Sequence, residues 1–246
     1  MGNLHYFLGI EVTRSSSGCS HLCQRKYIRD LLDRSSMSNA KSVPTPLVSS
    51  STLSKDDGDF LTNPTEYRSL AGALQYVVLT RPDIANARIL RYLCRTPDFG
   101  VVFRPSARLS SVGYADANWG LDFDDRRSTS GYSEYRSLAA ATSDVTWLLS
   151  LLKELYVVSD NTPNIWCDSS SAVAIAANPV LHSKFKHVEL DLFFVREKVA
   201  DGLVLVGEVP TCDQVADVLT KPLSVSAFTR FQLFLRVLPV GKMVEC

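Results

Sequence analysis

Nothing in this 246-residue chain approaches the ~20 consecutive apolar residues that a membrane-crossing helix needs. The opening "MGNLHY" has neither the basic region nor the apolar core of a secretory signal, and Tyr6 stands where a myristoylation motif wants Ser or Thr. Net charge is also missing. The 26 Lys plus Arg balance 26 Asp plus Glu, so no global basic field draws the chain to polyanions, and nucleic-acid binding has to rest on local patches or metal ions. The six cysteines lack the spacing of a secreted disulfide framework, which points to a reducing compartment. "CSHLC" brings Cys19, His21 and Cys23 into one short stretch, but no second pair closes a zinc site. Low-complexity blocks are absent, and 46% hydrophobic residues suffice for a core. The expectation is a soluble intracellular protein, cytoplasmic or nuclear.

What is present falls into two halves. The first reads as strand, turn at Ser15–Gly18, strand, and a helix from about Lys26 to Leu32. Residues 42–65 are rich in Pro, Ser, Thr and Asp and read as a long loop. Tyr67, Leu70, Ala71, Leu74 and Val78 then repeat at helical spacing, predicting a helix over Glu66–Leu79 that stops before Arg81–Pro82. A shorter helix is expected over Ala87–Cys94. In the second half, a strand near 109–116 is followed by polar "LDFDDRRSTSG" and by a long helix from Glu134. Tyr135, Leu138, Thr142, Val145, Leu148, Leu149, Leu152 and Leu155 keep one apolar face along that helix. "NIWCD" is a short strand, "SSSAVAIAAN" a helix closed by Pro179, and "LVLVGEV" the last expected strand. Thr211 with Gln214 forms a capping-box pattern for a helix holding Asp213 and Asp217.

Two of these strands end on acids, Asp116 in "VGYAD" and Asp168 in "NIWCD". A lone acid there is most often a solvated strand end. Gathered acids mean something else. Strand ends share one edge of a parallel or mixed sheet, and helix first turns sit beside it. Carboxylates collected at that edge repel one another unless Mg²⁺ or Mn²⁺ neutralises them. Two such ions about 4 Å apart activate water and stabilise the leaving 3′-oxygen in phosphodiester hydrolysis.

A family resemblance sharpens this pattern. "YRSLAGALQYVVLTRPDIA", "RILRYLCRTPDFG", "YADANWG", "DDRRSTSGY", "EYRSLA", "CDSSSAVAIAANPV" and "VPTCDQVADVLTKPL" occur in that order. Together they resemble the C-terminal part of the polyprotein of copia-type LTR retrotransposons. "YFLGIEV" and "QRKYIRDLL" resemble the segment that follows the polymerase catalytic site there, so the likeness runs from Leu4 to about Leu223. It implies an α+β remnant of the reverse transcriptase connection region over 1–106. An RNase H-like α/β domain follows over 107–223, a mixed sheet flanked by helices, and then a tail over 224–246. It also implies the metal ligands and catalytic acids Asp116, Glu134, Asp168 and Asp217, two Mg²⁺ (or Mn²⁺) ions, and an RNA–DNA hybrid as partner. "EYRSLA" occurs at 66–71 and again at 134–139, and only the second copy follows a strand-end acid, so Glu66 reads as an ordinary helix residue. Asp191 and Asp213 read as surface acids. His182, Lys184, Lys186 and His187 resemble the family's basic segment, which suits phosphate contact.

The chain departs from that family in four places. Seventeen residues separate Asp116 from Glu134, whereas a β-hairpin between strand and helix needs roughly 25 or more. The hairpin is therefore expected to be missing. A helical stretch is absent within "DIANARILRYL". No Tyr-x-Asp-Asp motif exists, so no polymerase active site is expected. Glu208 stands where the family shows a His associated with product release. The expected function is metal-dependent hydrolysis of RNA in RNA–DNA hybrids with impaired activity. The alternative is an inactive remnant with at most weak nucleic-acid binding.

Overall fold

The computed structural model describes residues 4–46, 64–84, 89–106, 109–116, 130–157, 161–178 and 189–245. In chain order its elements begin with β1 (Tyr6–Phe7), β2 (Ile10–Arg14), β3 (Ser20–Cys23), α1 (Arg25–Arg34), α2 (Pro64–Val77), α3 (Ile89–Arg95) and β4 (Phe99–Phe103). They continue with β5 (Val112–Ala115), α4 (Ser130–Glu154), β6 (Asn164–Cys167), α5 (Ser170–Ala177), α6 (Glu189–Ala200) and β7 (Leu205–Glu208). Last come α7 (Asp217–Thr220), α8 (Val225–Phe234) and β8 (Val237–Pro239). The chain is thus a mixed α/β protein, and among the described residues no helix is long and apolar enough to cross a membrane. It divides into two compact units. One joins Met1–Thr52 and Asp56–Pro105 to the segment from Asp217 onward, and the other consists chiefly of Ser106–Ala216.

The first unit is built on an antiparallel sheet in the order β1-β2-β3-β4-β8. Gly18, at φ 86°, makes the turn between β2 and β3, a conformation that costs glycine little. Gly100 is required where β4 crosses β3, because a Cβ there would lie 2.1 Å from the Leu22 carbonyl oxygen. His21 is fully buried on β3, with a ring nitrogen 2.9 Å from the Leu238 carbonyl of β8. Residues 224–246, expected as a tail, instead supply α8 and the sheet strand β8. Val237 and Leu238 pair with Val101 and Gly100, and Phe228, Phe231 and Val237 are buried. That apolar surface is why the segment packs.

A buried polar network ties this unit together. The Arg81 guanidinium donates to both carboxylate oxygens of Asp83 at 2.9 Å and to the Thr96 carbonyl at 2.7 Å. The Tyr92 hydroxyl donates to Asp83 at 2.5 Å, and Gln232 of α8 donates to the same carboxylate at 3.0 Å. Arg81 and Asp83 are fully buried. Burial alone would push the Asp83 carboxyl up, but Arg81, Tyr92 and Gln232 hold it below the usual carboxylate range.

The second unit carries a parallel sheet in the order β5-β6-β7. Its core gathers Ala115, Leu138, Ile165, Cys167, Ala172, Val195 and Val204. Parallel pairing demands crossover helices, and α4 and α5 with α6 supply them. Gly113 lets α4 approach β5, since a Cβ there would sit 3.3 Å from Val145 Cγ2. Two sequence expectations change here. Helix α4 starts at Ser130, one turn before Glu134, because no proline stops the helix from extending backward. The capping box at Thr211–Gln214 does not form. Thr211–Asp213 is a single 3₁₀ turn, Gln214 is extended, and the Gln214 amide bonds elsewhere. Asp213 and Asp217 therefore share no helix.

Asp83→Asn should destabilise the first unit by about 3–5 kcal/mol, the usual cost of breaking a buried ion pair from one side. Denaturant melts of the two chains measure it. The carboxyl is depressed in the folded state, so its stabilisation is fully present above the unfolded value of about 4 and is lost as pH falls below it toward the folded value. The acid limb of a stability–pH profile should therefore flatten in the variant.

Candidate metal centre

Strand β5 ends at Ala115 and β6 at Cys167, and these two residues pair directly. Asp116 and Asp168 are therefore the first residues past two adjacent parallel strands, at the same level. Asp168 also sits just ahead of α5, whose N-cap Ser169 accepts from the Ala172 amide at 3.4 Å. A helix N-terminus favours negative charge. Glu134 projects from the second turn of α4. One oxygen each from Glu134 and Asp168 and the Cys167 Sγ all lie within 4.8 Å of one another.

Cys167 reports on the charge around it. It is fully buried, and its thiol is pushed up to about 11, first by burial and then by Glu134, Asp168 and Asp116. Three carboxylates thus act on one buried point. Hard oxygen donors suit Mg²⁺ or Mn²⁺, and a thiol held protonated does not compete as a soft ligand, so this donor set fits the implied ions.

Two backbone ties fix the strand ends. The Gln214 side-chain amide, fully buried, donates to the Ala115 carbonyl at 2.9 Å. The Val209 amide donates to the Cys167 carbonyl at 3.0 Å. Sequence reading missed both Cys167 and Gln214. The first could have been suspected from its place beside a strand-end acid, while the second carried a helix-cap pattern that concealed it.

The remaining expected residues lie as follows. Asp217 opens α7 in the first unit, 5% exposed, with Lys221 Nζ 2.6 Å from its Oδ1. Glu208 is the exposed last residue of β7, opposite Cys167. Glu66 is an exposed residue in the first turn of α2, as expected. Asp213 is exposed, whereas Asp191 is half-buried on α6. His182, Lys184, Lys186 and His187 lie outside the described residues. Cys19, His21 and Cys23 form no cluster: among the described residues, Glu134, Cys167 and Asp168 are the one group close enough to share an ion.

The chain is 42% identical to the "Retrovirus-related Pol polyprotein from transposon RE1" of Arabidopsis thaliana over 93% of its own length. It is 40% identical over 97% to that of transposon RE2 from the same plant, and 30% identical over 90% to that of transposon TNT 1-94 from Nicotiana tabacum. It spans 19–20% of the length of these curated relatives. The RE1 and RE2 alignments run over 273 and 283 positions, more than the 246 residues here. Both therefore contain positions at which this chain has no residue. No family model and no solved structure matches it.

Alkylation should distinguish the thiols. In the folded chain iodoacetamide should label the exposed Cys212 readily and the buried Cys167 far more slowly. Glu134→Gln removes one of the charges that keep the Cys167 thiol protonated, so its labelling at a fixed alkaline pH should accelerate. Peptide mass spectrometry reads both rates.

Proposed function

Because the chain belongs to the retrovirus-related Pol polyproteins of copia-type transposons, we propose that its second unit is an RNase H-like domain with impaired activity. In this reading it hydrolyses RNA within RNA–DNA hybrids, and the first unit is a remnant of the reverse transcriptase connection region. The observation that carries the reading is the pair of acids leaving adjacent parallel strands, Asp116 and Asp168, with Glu134 beside Asp168.

Asp116, Glu134 and Asp168 would hold Mg²⁺ or Mn²⁺. Bound there, the ions supply charge neutralisation for the scissile phosphate and an activated water. The protein's own part is to hold Glu134 beside Asp168 and to bring Asp116 out of the neighbouring strand at the same level. Ala115, Leu138 and Cys167 anchor these elements from the core side. The resemblance assigns Asp217 as a fourth ligand. Asp217 itself pairs with Lys221 through Oδ1.

Seventeen residues separate Asp116 from Glu134, fewer than the roughly 25 that two further strands and their turns need. Residues 117–129 of that stretch lie outside the described residues. The relatives' alignments, longer than this chain, support a loss of residues somewhere along it. Among the described residues β5 has β6 as its one strand partner, and a strand held from one side is less firmly registered. The same observation favours a second reading, an inactive remnant that binds nucleic acid weakly.

Purified with Mg²⁺ or Mn²⁺, the chain should cleave an RNA–DNA hybrid barely above background, since a ligand misplaced by an ångström can cost around a hundredfold. Restoring about 25 family-like residues between Tyr132 and Glu134, roughly a hairpin's length, should rescue cleavage, and Asp116→Asn in the restored chain should abolish it. Robust cleavage by the chain as it stands, lost in Asp168→Asn, would refute impairment. No rescue in the restored chain would favour the inactive remnant.

A further inference from the structure

We propose that Gln214 is the positioning residue for Asp116, and that divalent-metal affinity of the second unit depends on its side-chain amide. This rests on the metal-site reading above and concerns a residue outside the ligand set.

The geometry is specific. Gln214 is fully buried, and its Nε2 donates to the Ala115 carbonyl at 2.9 Å, across 99 positions of sequence. Its Oε1 accepts the Ala216 amide at 3.4 Å. One side chain therefore clamps the turn after β7 to the last carbonyl of β5. Asp116 is the next residue. Its Cα position and the direction in which its carboxylate leaves the strand are set by the peptide plane that Gln214 holds.

The need for such a clamp follows from the sheet. Strand β5 has four residues and lies at the edge of the described β5-β6-β7 sheet. Asp168 leaves the central strand, held by Ile165 in the core and by the Val209 amide on the Cys167 carbonyl. Asp116 leaves the edge strand, and the corresponding support at its carbonyl comes from Gln214. A strand held by one neighbour is also the easier of the two to displace outward. A buried amide with both polar ends engaged resists that displacement at modest cost, since leaving either end unmade in the interior is expensive. Residues that orient ligands without touching the metal typically change affinity by 10–100-fold when lost.

The experiment titrates Mn²⁺ into the full chain and follows the free-ion signal by electron paramagnetic resonance, with a thermal melt of each variant to establish folding. Gln214→Leu keeps the volume and removes both polar ends. Gln214→Asn keeps an amide one methylene too short to reach Ala115. Both should fold and bind Mn²⁺ at least tenfold more weakly than the parent. Asp116→Asn should weaken binding comparably, and combining it with Gln214→Leu should add little, because both act through one carboxylate. Unchanged affinity in the two Gln214 variants, with affinity lost in Asp116→Asn, overturns the positioning role and leaves the metal site standing. A parent chain that binds no Mn²⁺, or whose affinity is unchanged in both Asp116→Asn and Asp168→Asn, overturns the metal site and the positioning role with it. Failure of both Gln214 variants to fold makes the residue structural and overturns the proposal.

Discussion

The Arg81–Asp83 pair is the constraint on which the first unit depends. Neither group tolerates burial alone, since an isolated ion in the interior costs several kcal/mol, so the chain has to bring donors and acceptors to both. It does so from four places. Residues 81–83 follow α2, Tyr92 belongs to α3, Thr96 precedes β4, and Gln232 lies on α8. Arg81 also stacks over Tyr92 and Phe99, with its guanidinium carbon 5.1 and 5.7 Å from the ring centres. Tyr92 meets Phe228 edge to face at 5.5 Å. An ion pair that needs this many partners specifies one arrangement of helices around the sheet, where an apolar cluster would accept several.

The second unit works with the opposite economy of charge. Glu134 and Asp168 lie close enough to Cys167 to share an ion, and burial, followed by the charges of Glu134, Asp168 and Asp116, drives its thiol up to about 11. The scaffold tolerates this because the strand ends are anchored from the apolar side. Leu138, Ile165 and Ala172 are completely buried beneath them, and the backbone ties through Gln214 and Val209 fix both exits. Burial is thus concentrated directly under the acids.

How much of this the sequence carried depends on the range of the forces involved. Strand-end acids were legible because an apolar run stopping at Asp116 or Asp168 is a local pattern. The helices over α2 and α4 were legible from apolar spacing, to within a turn at their starts. Gln214 was misread for a physical reason. Thr-x-x-Gln is a sound cap pattern, but a carbonyl far away in sequence offered the amide a buried partner, and tertiary burial outweighed a capping bond worth about 1 kcal/mol. The C-terminal segment was read as a tail since α8 and β8 are short and their sheet partner, β4, lies more than 130 residues earlier. "CSHLC" lacked a second pair to close a zinc site, and what the sequence did not show is that His21 fills the interior against β8.

The first unit is discontinuous, its sheet opened at residue 105 and completed from residue 217. During synthesis at ~5–20 residues per second, β4 leaves the ribosome on the order of ten seconds before β8 can pair with it. Throughout that interval its outer edge is bare and Asp83 waits for Gln232, while the whole of the second unit emerges. The inserted unit is therefore the first of the two able to finish folding. Any shortening within it advances the arrival of β8, so loss of sequence in one unit shortens the vulnerable period of the other.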